Sequence, residues 1–274
     1  MDMPLVCVSL RGCTVSDVLK DAASATAIGA DLVEVRLDKL WTIKQELPNI
    51  TDTLPEQSAS KSRNNSADNK IDFVYLPQPL DSLDLPSVLI SLKQGIVLPV
   101  ILTCRPINQG GYFPGTEEER IEVLQKAIES GVSWIDLELD IDEVKRNKLV
   151  KLAKNGDTKI IASSHILDQP PNSSEVIQEI QDNKDAGDVL KICYATSGRN
   201  DGINLFEAAW ELKDNEIKTS IMGLGQAGDW NRIHSPLLGQ AIVYSTMENG
   251  WHLAQKGMIN TADLKTAWEM LDYQ

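Results

Sequence analysis

The sequence predicts an α/β protein with one (β/α)8 barrel domain, the TIM-barrel fold. Short apolar runs rich in β-branched residues recur eight times, and an amphipathic helical pattern follows each run. The chain has 274 residues, a length that such barrels often occupy as a single domain. An open doubly wound sheet is the alternative. It usually carries a Gly-rich phosphate turn after its first strand, and SLRGCTVSD is not such a turn.

Each predicted strand is a run of six or seven residues. Strands that alternate with helical patterns are typical of βαβ units, in which neighbouring strands are parallel. In chain order the runs are LVCVSL from residue 5, LVEVRLD from 32, PVILTCR from 99, WIDLEL from 134, KIIASSH from 159, VLKICYA from 189, TSIMGLG from 219 and AIVYST from 241.

The segments between these runs carry the start and stop signals of helices. TVSDVLKDAASATAIGA begins with Thr or Ser and has Gly29 near its end. GTEEERIEVLQKAIESG has acidic residues in its first turn, where they suit the helix dipole, and Gly131 at its end. NSSEVIQEIQDNKDAG and NTADLKTAWEMLDY begin alike, with Asn before the helical pattern. We therefore expect a helix over each of these segments.

One stretch interrupts the alternation of strands and helices. Residues 48–70 are rich in Ser and Asn and show no apolar period. We expect a mobile insertion there, after the second strand and before a helical segment near 81–94. No second core follows a linker, so we predict one domain over residues 1–274.

The charge balance narrows the classes of partner. The formal net charge is −14, and such a surface repels nucleic acids and anionic lipids. A small anionic substrate remains compatible with a locally basic pocket. We expect no membrane span, because no apolar run approaches ~18 residues, and no leader segment, because the first strand begins by Leu5. The four cysteines lack a C-x-x-C pair, which favours reduced thiols in the cytoplasm over a zinc site or a disulfide framework.

Polar side chains gather at the carboxyl halves of the predicted strands. Side chains alternate along a strand, so an apolar outer face toward the helices turns the polar residues inward or toward the mouth. In this fold the carboxyl ends of the strands form the catalytic face. The residues concerned are Ser9, Glu34, Arg36, Thr103, Arg105, Asp136, Glu138, Ser163, His165 and Lys191.

Lys191 is the most informative of these residues. It lies in mid-strand between Leu190 and Ile192, where burial of an ammonium is costly unless its charge is paired or lost. Burial alone would lower its pKa and leave a neutral amine, the nucleophile of Schiff-base enzymes. His165 ends the preceding strand, so the two side chains are expected to face one substrate. Taken alone, His165 is more typical of a hydrogen-bonded core residue.

The ordered motifs EVRLD, TCRPINQGG, IDLEL, ASSH, LKI, MGLGQAGDWNRI and INTADL resemble the type I 3-dehydroquinate dehydratase family. The resemblance spans nearly the whole chain apart from residues 48–70. It implies that Lys191 forms an iminium with the substrate ketone and that His165 acts as general base and then general acid. It also implies a cofactor-free lyase of the shikimate pathway that forms 3-dehydroshikimate, and a homodimer.

The resemblance also implies the residues that bind the substrate. Arg232 falls at the position that binds its carboxylate. Ser9, Glu34, Arg36 and Arg105 fall on the hydroxyl-binding and charge-network positions.

Three positions depart from the family pattern. Gln109 stands where the family often has a Glu that orients the histidine, and an amide orients a ring without stabilising its charge. The late loop, usually Ser-Ala-Pro-Gly-Gln, is LAQKGM here. We expect Gln255 to supply its substrate contact, with Lys256 as the alternative. Asn231 replaces a Ser. These departures leave two other readings open: an aldolase-like Schiff-base lyase for another carboxylated ketone, and a catalytically impaired protein that binds a small anion.

Overall fold

The computed structural model describes residues 3–46, 73–168 and 170–273. All eight predicted runs form parallel strands of one sheet that curls into a nearly closed barrel, which confirms the predicted fold class. Following the sheet from edge to edge, the strands are β10 (Ile242–Ser245), β1 (Leu5–Ser9), β2 (Leu32–Arg36), β5 (Val100–Thr103), β6 (Trp134–Glu138), β7 (Lys159–Ile166), β8 (Val189–Thr196) and β9 (Thr219–Gly225).

The two edge strands, β9 and β10, meet through a few polar contacts. The Ala241 N–H donates to the Thr219 carbonyl at 2.8 Å, and the Ser220 hydroxyl donates to the Ile242 carbonyl at 2.7 Å. The side-chain oxygen of Gln240 accepts the Ile221 N–H at 2.6 Å. Ile221 and Ile242 are buried, so their backbone polar groups need hydrogen-bond partners. The side chains of Gln240 and Ser220 provide these partners in place of a regular ladder between the two strands.

Helices pack outside the strands and begin at the predicted signals. Thr14, Asn172 and Asn260 accept N–H bonds at the starts of their helices, and Thr116 forms a capping box with Glu119. The helices are α1 (Val15–Ala27), α2 (Leu85–Gly95), α3 (Glu117–Glu129), α4 (Glu143–Asn155), α5 (Ser173–Asp182), α6 (Arg199–Leu212), α7 (Trp230–Ile233), α8 (His252–Gln255) and α9 (Thr261–Met270). None of the helices in the described ranges is long and apolar enough to cross a membrane.

An antiparallel hairpin that the sequence pattern did not predict follows β2. Its strands are β3 (Thr42–Glu46) and β4 (Phe73–Pro77). The hairpin leaves the carboxyl end of β2, so it stands on the mouth side of the barrel. There the ring of Tyr75 lies 5.0 Å from the ring of Tyr112 in the loop after β5. The predicted insertion at 48–70 lies outside the described residues.

The barrel interior has an apolar layer below a polar one. Near the amino ends of the strands the inward side chains include Leu32, Ile101, Trp134, Ile161 and Val189, which belong to one buried cluster. Two residues further along the same strands, the inward positions are Glu34, Thr103, Asp136, Ser163 and Lys191, all buried. The period of two therefore places the polar residues side by side, one step below the mouth.

Gln240 provides a test of barrel closure. Replacing Gln240 with Leu removes the acceptor of the buried Ile221 N–H, so the free energy of unfolding should fall by ~1–3 kcal/mol. Urea denaturation measures this loss. Gln178 is exposed on α5, and Gln178→Leu should change stability little. Equal effects of the two substitutions would contradict the role given to Gln240.

Candidate active site

Lys191 lies at the centre of the polar layer and is 3% exposed. Its Nζ is 3.4 Å from Glu34 Oε1 and 3.6 Å from Asp136 Oδ2, and it lies 3.9 Å above the ring centroid of Tyr244. Burial lowers the pKa of Lys191, but the carboxylates of Glu34 and Asp136 outweigh burial and raise the pKa above its usual value. The expectation of a neutral amine in the free protein is therefore wrong, because the sequence did not show that two carboxylates flank the lysine.

Glu34 is held as a carboxylate by its neighbours. Ser9 Oγ donates to it at 2.5 Å and Thr103 Oγ1 at 3.0 Å. Burial acts to raise the pKa of Glu34, but Lys191 and Arg36 outweigh it and bring the pKa to about 2. Ser9 and Glu34 thus meet at the centre of the barrel, as the strand alternation predicted.

Arg105 lies in the loop after β5 and bonds side chains of the next two strands, β6 and β7. Its guanidinium donates to Asp136 and to Glu138, each at 2.7 Å, and to Ser163 Oγ at 2.9 Å. Burial lowers the pKa of Arg105, but Asp136 and Glu138 outweigh burial and raise it. Arg120 from α3 donates to the second oxygen of Glu138 at 2.6 Å, so this carboxylate bridges two arginines.

Arg36 lies at the mouth and forms a two-pronged pair with Asp38, at 2.8 and 2.6 Å. Asp38 is fully buried and also accepts the backbone N–H groups of Arg105 and Tyr112, at 3.2 and 3.0 Å. Asp38 therefore fixes Arg36 and the start and end of the loop after β5, which carries Gln109. In the run LVEVRLD the alternation of side chains puts Asp38 on the same face as Glu34 and Arg36, but it does not indicate this role.

His165 is half-buried near the end of β7, on the strand next to Lys191. Burial lowers the pKa of His165 well below its usual value, and the positive charges of Arg105, Lys191 and Arg36 lower it further. The imidazole is therefore neutral at neutral pH, the state that a general base requires. Its buried Nδ1 has no hydrogen-bond partner within the described ranges.

Gln109 contacts His165 in a way that differs from the expected ring contact. Its side-chain oxygen accepts the backbone N–H of His165 at 3.2 Å. The amide therefore holds the main chain at the end of β7. Gly110 beside it has a φ of 75°, in the left-handed region that glycine adopts easily, and this turn lets the loop return toward the barrel.

Arg232 from α7 is buried against the carboxyl halves of β9 and β10, and it is 4% exposed. Its guanidinium donates to the carbonyls of Tyr244, Gly223 and Gly228, at 3.0, 2.8 and 2.7 Å. Burial lowers its pKa to about 10. In the described part of the chain no carboxylate pairs with Arg232, so its charge is available to an anion.

Gln255 lies apart from the buried charges. It ends α8 in the loop after β10, and its side chain is exposed.

Asp136 and Tyr244, by contrast, contact Lys191. Neither of them was assigned a role in the site from the sequence. Its inward position on a strand with a polar face could have identified Asp136. For Tyr244 the only indication was that it lies on the same face of its strand as Ile242.

Among the described residues no group of three or more His, Cys, Asp or Glu side chains is arranged to hold a metal ion. The groups that the site offers to a substrate are the buried Lys191, the neutral imidazole of His165 and Arg232, which has no carboxylate partner among the described residues. A small anionic ketone would match these groups.

One protein-family model matches the sequence over nearly the whole chain. The model described as type I 3-dehydroquinase matches residues 6–274. This chain belongs to the type I 3-dehydroquinase family. The match includes the barrel from the second residue of β1 onward and every residue of the polar layer, and it confirms the resemblance seen in the motifs.

Two relatives of this chain carry the name 3-dehydroquinate dehydratase. The 3-dehydroquinate dehydratase of Methanococcoides burtonii is 31% identical over 192 residues, covering 70% of this chain and 79% of that protein. The enzyme of the same name from Methanosarcina acetivorans is 26% identical and covers 92% of this chain and 90% of the relative.

A solved structure supports the same fold for this chain. The type I 3-dehydroquinate dehydratase of Clostridium difficile, determined with covalently modified comenic acid, superposes with a TM-score of 0.76 at 19% identity, covering 98% of this chain and 92% of the other.

The loop residue Gln109 provides a test of the site's electrostatics. Replacing Gln109 with Glu puts a carboxylate beside His165, which should raise the pKa of the imidazole. An NMR titration of the histidine ring protons measures this change. Asn108→Asp adds the same charge one residue away on an exposed side chain and should leave His165 nearly unchanged. An unmoved titration in Gln109→Glu would contradict the loop geometry.

Proposed function

We propose that this protein dehydrates 3-dehydroquinate to 3-dehydroshikimate through a Schiff base on Lys191, with His165 as the acid–base group. Family membership identifies the reaction and the shikimate pathway to which it belongs. The observation that carries the residue assignment is the placement of Lys191: a buried lysine between two carboxylates, with the neutral His165 on the next strand.

The site has a complementary group for each end of the substrate. Arg232 offers a buried positive charge for the substrate carboxylate. Lys191 lies deeper in the barrel and would meet the ketone. Arg36 and Gln109 border the mouth, and Ser9 and Arg105 belong to the network beneath it. This arrangement supports the assignment of Ser9, Glu34, Arg36, Arg105 and Arg232 to substrate binding and to the charge network around it. Gln255 is assigned to the lid by the resemblance.

The first steps form the iminium. Because Lys191 is an ammonium in the free protein, it must lose a proton before it attacks, and Glu34 and Asp136 are the carboxylates within reach. The amine nitrogen then adds to the ketone carbon. The carbonyl oxygen takes one proton from that nitrogen and a second from the carboxyl group that deprotonated the lysine, and it leaves as water. The resulting iminium draws electrons from the neighbouring C–H bond.

Elimination follows from this iminium. His165 removes the proton on the adjacent carbon, and the electron pair of that C–H bond moves to the iminium and forms an enamine. The protonated imidazole then gives its proton to the departing hydroxyl, which leaves as water and regenerates an iminium conjugated with the new double bond. Water hydrolyses this imine, releases the product and restores the amine.

The two alternative readings are separable by experiment. A lyase for another carboxylated ketone would use Lys191 but would not turn over 3-dehydroquinate. A protein that only binds small anions would do neither. The family match favours dehydration over both, and the appearance of enone absorbance on incubation with 3-dehydroquinate tests it directly.

The cytoplasmic location, the homodimer, and the absence of cofactors and nucleic-acid partners stay predictions. The predicted cytoplasmic location rests on the four cysteines, which are free thiols in the structure. The predicted homodimer rests on the resemblance alone. Sedimentation equilibrium would measure the mass of the particle against the 30.2 kDa of one chain.

Lys191 provides the most direct test of the Schiff base. Incubation with 3-dehydroquinate and borohydride should inactivate the protein and add one reduced ligand per chain, because borohydride reduces an imine to a stable amine. Peptide mapping should place the added mass on Lys191. Lys191→Met keeps the apolar stem and should abolish labelling while the fold is retained. Labelling that persists in this variant would contradict the assignment.

His165 provides the test of the acid–base step. Replacing His165 with Ala should lower kcat by about 10² to 10⁴, because proton removal then lacks a positioned base. Borohydride trapping should still label Lys191, since imine formation precedes that step. His234 bonds Tyr273 and packs on Phe206, so His234→Ala is the matched control with near-normal turnover. Near-normal turnover of the His165 variant would remove this residue from the mechanism.

A further inference from the structure

Tyr244 is a buried aromatic residue whose contact with Lys191 the mechanism above does not use. It lies on β10, two strands from Lys191 in the barrel, and is 7% exposed. The Lys191 ammonium lies 3.9 Å from the centroid of its ring, well inside the ~6 Å range of cation–π attraction. Such contacts are strongest where water is excluded, and both side chains are buried here.

The ring of Tyr244, not its hydroxyl, makes this contact. The hydroxyl is buried and has no hydrogen-bond partner in the described part of the structure. Burial raises the pKa of Tyr244 well above its usual value, so the phenol stays neutral and its ring remains a neutral π-face. Tyr244 therefore presents a fixed aromatic surface to the nitrogen that forms the imine.

We propose that Tyr244 is a positioning residue whose ring holds the Lys191 nitrogen in its cationic state, first as the ammonium and then as the iminium. The catalytic part of this proposal rests on the proposed function. An imine is an effective electron sink only when its nitrogen is protonated, so a π-face beside that nitrogen keeps the reactive form populated. The ring acts together with the nearby carboxylates.

Other charged or titratable groups also face Lys191, and the experiment must separate them from the ring. They come from five strands of the barrel and from the loop after β5: Cys7, Glu34, Arg105, Asp136, His165 and Cys193. Only a change confined to the ring's π-electrons leaves all of these groups in place. Stepwise fluorination of the ring makes that change, because fluorine withdraws electron density while the ring keeps nearly the same shape.

The experiment uses the whole chain with Phe, monofluoro-, difluoro- and trifluorophenylalanine incorporated at position 244. The state of Lys191 is followed without substrate by ¹³C-lysine NMR, using the Cε resonance that Lys191→Met lacks. At a fixed alkaline pH the ratio of neutral to charged amine should rise with each fluorine, roughly tenfold across the series. Glu34→Gln, which removes a carboxylate beside Lys191, is the positive control and should shift the resonance in the same direction.

Tyr244→Phe is the matched control for the hydroxyl. It keeps the π-face and removes only a group that has no partner among the described residues, so the Lys191 resonance should match that of the unmodified protein. Across the fluorinated series kcat should fall, KM should change little, and the alkaline limb of the kcat profile should move to lower pH.

Two results would overturn the proposal. One is a Lys191 resonance that does not respond to fluorination while Glu34→Gln moves it. The other is a shift caused by Tyr244→Phe, which would assign the effect to the hydroxyl. If the unmodified protein proved inactive on 3-dehydroquinate, the proposed function would fail, whereas a graded NMR shift would still establish the contact between the ring and Lys191.

Discussion

Pairing of charges inside the barrel is the constraint on which the rest of the structure depends. A charged side chain in an interior with little water is costly unless an opposite charge and hydrogen bonds compensate for lost hydration. Arg105 meets this requirement by bonding Asp136 and Glu138, and Arg120 shares Glu138 from outside the strands. These pairs join β5 to β6 and to α3. Removing one partner would leave another charge buried and unpaired, so the network stabilises the fold only as a complete set.

The same set of charges acts in opposite ways on the two groups proposed to carry out the reaction. Lys191 has two carboxylates beside it and stays an ammonium. Burial lowers the pKa of His165, the cations around it lower that pKa further, and the imidazole stays neutral. Ser163 is opposite Lys191 on the neighbouring strand, and His165 lies two residues further along that strand. Over this short distance the surroundings change from favouring a positive charge to disfavouring one. The proposed mechanism needs this difference, because a protonated imine and a neutral base must coexist.

The expected affinity for an anion depends on positive charge at the mouth of the barrel, although the net charge of the whole molecule is negative. The formal net charge is −14, yet the mouth holds Arg36 and Arg232. Arg36 is already paired with Asp38, whereas Arg232 bonds only backbone carbonyls among the described residues. Desolvation makes its unpaired charge costly, and a bound carboxylate would relieve that cost. This difference between the two arginines explains why Arg232 is the better candidate for recognition of the substrate.

The sequence by itself determined the eight strands, the helix starts and the inward position of the polar residues. These follow from periods of 2 and 3.6 and from capping residues, which act within a few positions along the chain. It did not determine the β3–β4 hairpin, whose strands are separated by 26 residues. Nor did it determine the ammonium state of Lys191, the backbone contact of Gln109 or the ring contact of Tyr244. Only the tertiary structure decided these features, because each depends on distances between groups far apart in sequence, and no local pattern encodes the sum of their charges.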